Sequence, residues 1–217
     1  MVLARIQSEL AAIYAAPVTH PVDDFLITDA RVAAALTPDS CSRQNKERLL
    51  LREHGGDLDL SLYVDDSVLR LLEQDDPIES LHEENFAAFL VALEGVSHFH
   101  YVVWHGMQAG AITPLELELQ AEVDKYVTCA RLFTRQLAGR IPPALHAVLF
   151  EGVGFDAALD QTERNLYEEA NFFAAMYCAR LRRRYPGGYA QPGFLQELRT
   201  FYRASRNDKI RRSRMIH

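Results

Sequence analysis

Residues 80–106 read SLHEENFAAFLVALEGVSHFHYVVWHG, and this stretch sets the fold class. At 100° per residue, Phe86, Phe89, Leu90, Leu93, Tyr101 and Trp104 fall on one face, with Ser97 and His100 among them. Val96, Phe99 and Val103 make the opposite side apolar too, so the helix is expected to be central and covered on most sides. Ser80 and Glu83 have the spacing of a capping box, which places its start, and Gly106 marks its end.

Two more long helices are expected downstream. Thr113-Pro114-Leu115-Glu116 is a second capping box with proline in the first helical position, and the helix it opens runs to near Gly139. Asp160 with Glu163 opens a third that ends at about Tyr185, before Pro186-Gly187-Gly188. Between them Pro142 and Pro143 restart a short helix through Phe150, and residues 193–205 form a last one.

Upstream the pattern is mixed. A helix over residues 2–15 stops before Pro17 and Pro21, residues 24–28 (DFLIT) read as a short strand, and Asp29 caps a brief helix that Pro38 closes. After a polar loop over residues 39–46 comes ERLLLREHGGDLDLSLYVDD, in which Leu58, Leu60, Leu62 and Val64 alternate with Asp57, Asp59, Ser61 and Tyr63. That period predicts a strand with one buried face, and Gly55-Gly56 supplies a hairpin turn. Asp65 and Asp66 then cap a short helix. The expected class is α+β, predominantly α. A helical bundle of three long helices spans residues 79–205, an α+β module with the hairpin (1–78) packs on it, and a basic tail (206–217) follows.

A chain of 217 residues with 48% hydrophobic content can bury one substantial core. Residues 86–93 are its longest uncharged apolar run, far short of the roughly 20 residues a membrane-spanning helix needs, so no span is expected. Cys41, Cys129 and Cys178 are odd in number and widely spaced, which argues against a disulfide framework or a zinc finger and fits a reducing cytoplasm. Residues 180–217 carry eleven Lys and Arg against Glu197 and Asp208, while residues 1–179 carry twelve against 28 acids. The two parts have opposite sign, so the tail either docks on the acidic body or meets an acidic partner.

Each long helix sends a carboxylate toward the shared core: Glu94 on the first, Glu122 on the second and Glu163 on the third. Buried carboxylates are costly unless paired, protonated or metal-bound. Glu94, His98, Glu122 and Glu163 are therefore candidate ligands for iron, manganese or zinc. A di-metal centre built from Glu-x-x-His motifs fits poorly, since Glu94 and His98 are four apart and no second such pair occurs. Together with Ser97, Tyr126, Tyr167 and Asn171 the same residues outline a polar pocket, or a structural network; the network is the favoured reading, so no cofactor is expected. No nucleophile elbow, phosphate-binding loop, dinucleotide fingerprint or His-Glu-x-x-His pair is present.

The leading expectation is a non-catalytic binding or regulatory protein that engages a protein partner, or a second copy of itself, through Arg203, Arg206, Lys209, Arg211, Arg212 and Arg214. A metal-dependent enzyme centred in the bundle is the alternative. Sequence-nonspecific nucleic-acid binding through the same basic residues is a third and less favoured reading, because the acidic body opposes a polyanion.

Overall fold

The structure, a computed structural model, describes residues 1–37, 46–55, 57–107, 111–152, 154 and 159–215. It is predominantly helical with one small sheet. In chain order the elements are α1 (Val2–Tyr14), β1 (Leu26–Ile27), α2 (Ala30–Leu36), β2 (Glu47–His54), β3 (Asp57–Val64), α3 (Asp66–Gln74), α4 (Glu83–Gly106), α5 (Pro114–Gln136), α6 (Leu145–Phe150), α7 (Gln161–Arg184), α8 (Phe194–Tyr202) and α9 (Arg206–Arg214).

The capping residues set most boundaries. Thr113 Oγ1 accepts from the Glu116 amide, and the Glu116 carboxylate accepts in return from the Thr113 amide. Asp160 and Glu163 exchange the equivalent pair at α7. At α4 the expected Ser80–Glu83 box does not form. Asn85 is wholly buried, accepts from the His82 amide at 3.0 Å and donates to the Ser80 carbonyl at 2.8 Å, so the chain enters the helix after His82.

α4 is central. It packs against α1, α3, α5, β2 and β3, while α5 also packs against α7. α4 is long enough and, over an 18-residue stretch, apolar enough to cross a membrane, although Glu94 and the histidines interrupt its apolar runs. Most of that apolar surface is spent on the protein's own core. One buried cluster contains Leu3, Leu10, Leu62 and Val68 alongside Phe89, Leu119, Tyr177 and Phe201.

β1 runs parallel to β3, and β3 pairs antiparallel with β2, giving the order β1-β3-β2. Gly55 takes φ +62°, which glycine adopts without strain; Gly56 and Cys41 lie outside the described residues. The sheet is covered on both faces. Leu62 and Val64 enter the main core, and Tyr63 is buried on the other side with Leu50 and Ala33 of α2, where the alternation predicted a single buried face.

The basic tail packs on the body, one of the two arrangements its charge left open, and does so as a helix that was not expected. Ser205 caps a further helix, α9, by accepting from the Asp208 amide, and α9 packs on α5, α7 and α8. Lys209 and Ser213 are buried beneath it. Residues 216 and 217 lie outside the described region.

Candidate metal centre

Lys125 on α5 ties α4 to α5. Its Nζ lies 2.8 Å from Glu94 Oε2 and 2.8 Å from Glu122 Oε1. One turn before Glu122, Glu118 faces His98, with Oε2 3.6 Å from His98 Nε2, beyond hydrogen-bond reach. Positions 118, 122 and 125 on α5 and 94 and 98 on α4 are each spaced to share a helix face, so the two faces oppose one another. Donor atoms of Glu94, His98 and Glu118 all lie within 4.8 Å of one another.

A fourth carboxylate arrives from the sheet. Glu47, the first residue of β2, reaches the cluster over Gly95, where a Cβ would meet Leu62 Cδ1 at 2.9 Å and Glu47 Oε2 at 3.0 Å. Glycine inside a helix costs about 1 kcal/mol relative to alanine, and here it permits the close approach of the hairpin.

The electrostatics are unbalanced. Among the described residues, Glu47, Glu94, Glu118 and Glu122 face one fixed cation, Lys125, and one histidine, His98. Burial and then the charge of Glu94 push the Glu47 carboxyl up to about 8. Burial opposes the charged form of His98, yet Glu118, Glu47 and Glu94 outweigh it and raise its pKa to about 9. Burial disfavours the Lys125 ammonium too, but Glu94 and Glu122 overcome this and raise its pKa. Even so, His98 Nε2 and Glu47 Oε2 are buried without a hydrogen-bond partner. His98 is 5% exposed, and the side chains of Glu94 and Glu118 are 24% and 13% exposed, so the group is deep but open to solvent at its rim.

A second polar network lies further along the same helices. Asp124 accepts from Tyr14, from Ser97 Oγ at 2.6 Å and from Gln120 Nε2 at 2.7 Å. Lys209 Nζ donates to Gln120 Oε1 at 2.5 Å, with its charge 4.5 Å from the Tyr101 ring centroid and 5.0 Å from that of Phe201. Burial drives the Lys209 pKa down to about 7 and raises that of Asp124 to about 6. His100 is clamped between the Tyr202 hydroxyl and the Ala16 carbonyl, and burial lowers its pKa to about 4.

The expected pocket residues therefore divide. Glu94 and His98 lie together with Glu118, and Glu122 is linked to Glu94 through Lys125. Glu163 does not join them, because its carboxylate accepts from the Asp160 amide at the start of α7. Ser97 turns to Asp124, and Tyr126 packs beside His146 and Phe150. Tyr167 is partly exposed on α7, and Asn171 donates to the Phe150 carbonyl. Spacing on α5 was the available signal for Glu118 and Lys125.

The basic residues divide likewise. Arg203 donates to the Tyr14 and Ala15 carbonyls, each at 2.9 Å, and lies over Trp104. Arg212 is 3.6 Å from Glu197, Arg211 pairs with Asp208 at 2.7 Å, and Arg214 covers the Phe173 ring. Arg206 is exposed. Lys209, expected on the outside, is wholly buried and unavailable to a partner.

Fold and site define a class: a mostly helical α+β protein with a buried carboxylate–imidazole cluster between two long helices and a hairpin. Comparison with protein-family models, with curated proteins and with solved structures returns no match.

Proposed function

We propose that this chain is a divalent-metal protein. Its ion is held by Glu94, His98 and Glu118 between α4 and α5, with Glu47 of the hairpin as a fourth ligand. On this reading α4, α5 and α7 form the bundle and the hairpin closes over the site. The observation that carries it is the grouping of donor atoms of Glu94, His98 and Glu118 within 4.8 Å of one another, beside which His98 Nε2 and Glu47 Oε2 are buried without a hydrogen-bond partner. Metal–ligand bonds of about 2.1 Å put donors on opposite sides of an ion about 4.2 Å apart. Donor atoms of the three ligands all lie within 4.8 Å of one another, comparable with that distance.

Three carboxylates and one imidazole form a hard, oxygen-rich set that suits manganese or iron(II) ahead of zinc. The partly exposed rim leaves coordination positions for water, the arrangement of a reactive rather than a purely structural centre. The protein's part is to hold the ligands at fixed separation and to keep the Lys125 ammonium beside any anion bound to the metal.

Elemental analysis of protein grown with manganese and iron tests this. The expected result is about one ion per chain, lost in Glu94→Gln and in His98→Gln. Metal-free wild-type protein, or metal that both variants retain, overturns it.

Engagement of an acidic partner through the basic segment draws less support, since Arg203, Lys209 and Arg212 are used within the fold. Arg206 and Arg211 remain the residues through which such binding would act.

A further inference from the structure

We propose that Lys125 is a resident second cation: its ammonium fills the position a second metal ion takes in carboxylate-bridged pairs, and so holds the site to one ion. The inference rests on the metal-centre assignment above and specifies how that centre is restricted.

The geometry is that of a bridge. Glu94 belongs to both halves of the cluster, grouped with His98 and Glu118 on one side and 2.8 Å from Lys125 Nζ on the other. Glu122 holds the same ammonium, also at 2.8 Å. Replacing the ammonium by an ion would give a second site with Glu94 as the shared carboxylate and Glu122 as its own ligand. Paired ions in such centres lie about 3.5–4 Å apart and share carboxylates in this way. The Lys125 side chain is 12% exposed and rises from the α5 face that carries Glu118 and Glu122, so it is fixed there by packing and pairing.

Charge points the same way. One divalent ion together with the ammonium leaves one of the four carboxylate charges uncompensated. Two divalent ions balance the four carboxylates once the ammonium is gone. A second ion added beside the ammonium would have to displace a cation held by two carboxylates in a poorly hydrated site, which is costly.

The test uses the full chain as wild type, Lys125→Ala, Lys125→His and Lys125→Arg, each equilibrated with Mn2+ and assayed for bound metal and by electron paramagnetic resonance. Wild type and Lys125→Arg are expected to hold about one ion with the spectrum of isolated Mn2+, and the Ala and His variants about two with a spin-coupled signal. The His variant supplies a nitrogen donor, so it reports even where Lys125→Ala leaves too many uncompensated carboxylates to fold. Melting with and without Mn2+ shows which variants are folded. One ion in folded Lys125→Ala or Lys125→His overturns the inference and leaves the metal centre standing, as do two ions in wild type. No bound ion in any chain overturns both.

Discussion

A Cβ on Gly95 would lie 3.0 Å from Glu47 Oε2. The missing side chain in the middle of α4 is what lets a residue from the sheet reach a cluster built on two helices.

Gly95→Ala is therefore expected to destabilise the protein, although alanine is the better helix former by about 1 kcal/mol. The new methyl group would also stand 2.9 Å from Leu62 Cδ1, and Leu62 is wholly buried with nowhere to move. Overpacking of this kind costs about 1–3 kcal/mol, and the displaced Glu47 should weaken metal binding at the same time. Thermal melts and a metal titration check both; a variant that melts higher and binds as before would show that the hairpin does not depend on this contact.

Lys209 gives a pH dependence of known sign. Its pKa falls from 10.5 to about 7 on folding, so between those values the native state binds fewer protons than the unfolded chain, and stability rises with pH. Below about 7 both states are charged and the penalty is fully present. Asp124, Glu116 and His105 face the ammonium electrostatically, and the rings of Tyr101, Phe201 and Tyr202 surround it. His98 and Glu47, whose pKa values are raised, contribute the opposite slope, but equally in wild type and Lys209→Met. The difference in stability between the two chains should shift toward wild type as pH rises from about 7 to about 9, below the range of the buried tyrosines. A pH-independent difference would mean that Lys209 keeps its ordinary pKa.

Truncation after Ser205 removes α9 and uncovers Phe201, Tyr202 and Gln120. Loss of such apolar cover, together with the Lys209–Gln120 bond, is expected to cost about 2–5 kcal/mol, against the small effect expected of a solvated tail. Denaturant unfolding measures it, and an unchanged midpoint would place α9 outside the cooperative unit.

Glu163→Ala separates the two kinds of carboxylate. It should cost about 1 kcal/mol through the lost cap of α7 while leaving metal content as in wild type. Loss of the ion in this variant would return Glu163 to the cluster.

The sequence carried the long helices because their caps are local. Thr113 with Glu116 and Asp160 with Glu163 satisfy backbone groups within four residues, so spacing alone reveals them. At α4 the box is equally local but is made by His82 and Asn85, residue types outside the Ser/Thr–Glu pattern, so the expected start fell on the wrong pair. Half of the cluster was legible on the same grounds: Glu94, His98 and Glu122 follow from helical periodicity. Glu47 did not, because nothing in ERLLLREH indicates that the sheet lands beside Gly95. Which basic residues of the C-terminal segment would be spent inside the fold was not legible, because formal charge does not show where a lysine stem packs; Lys209 lies among Tyr101, Phe201 and Tyr202.

The most direct test of the central claim is the melting temperature of chelator-treated wild-type protein as Mn2+ is added. An ion bound by the native cluster alone stabilises the fold in proportion to the logarithm of its concentration above the dissociation constant, by about 2.7 kcal/mol at a hundredfold excess. The account predicts such a rise, absent in Glu118→Gln. A melting temperature indifferent to Mn2+ and to Fe2+, or an equal rise in that variant, would contradict it.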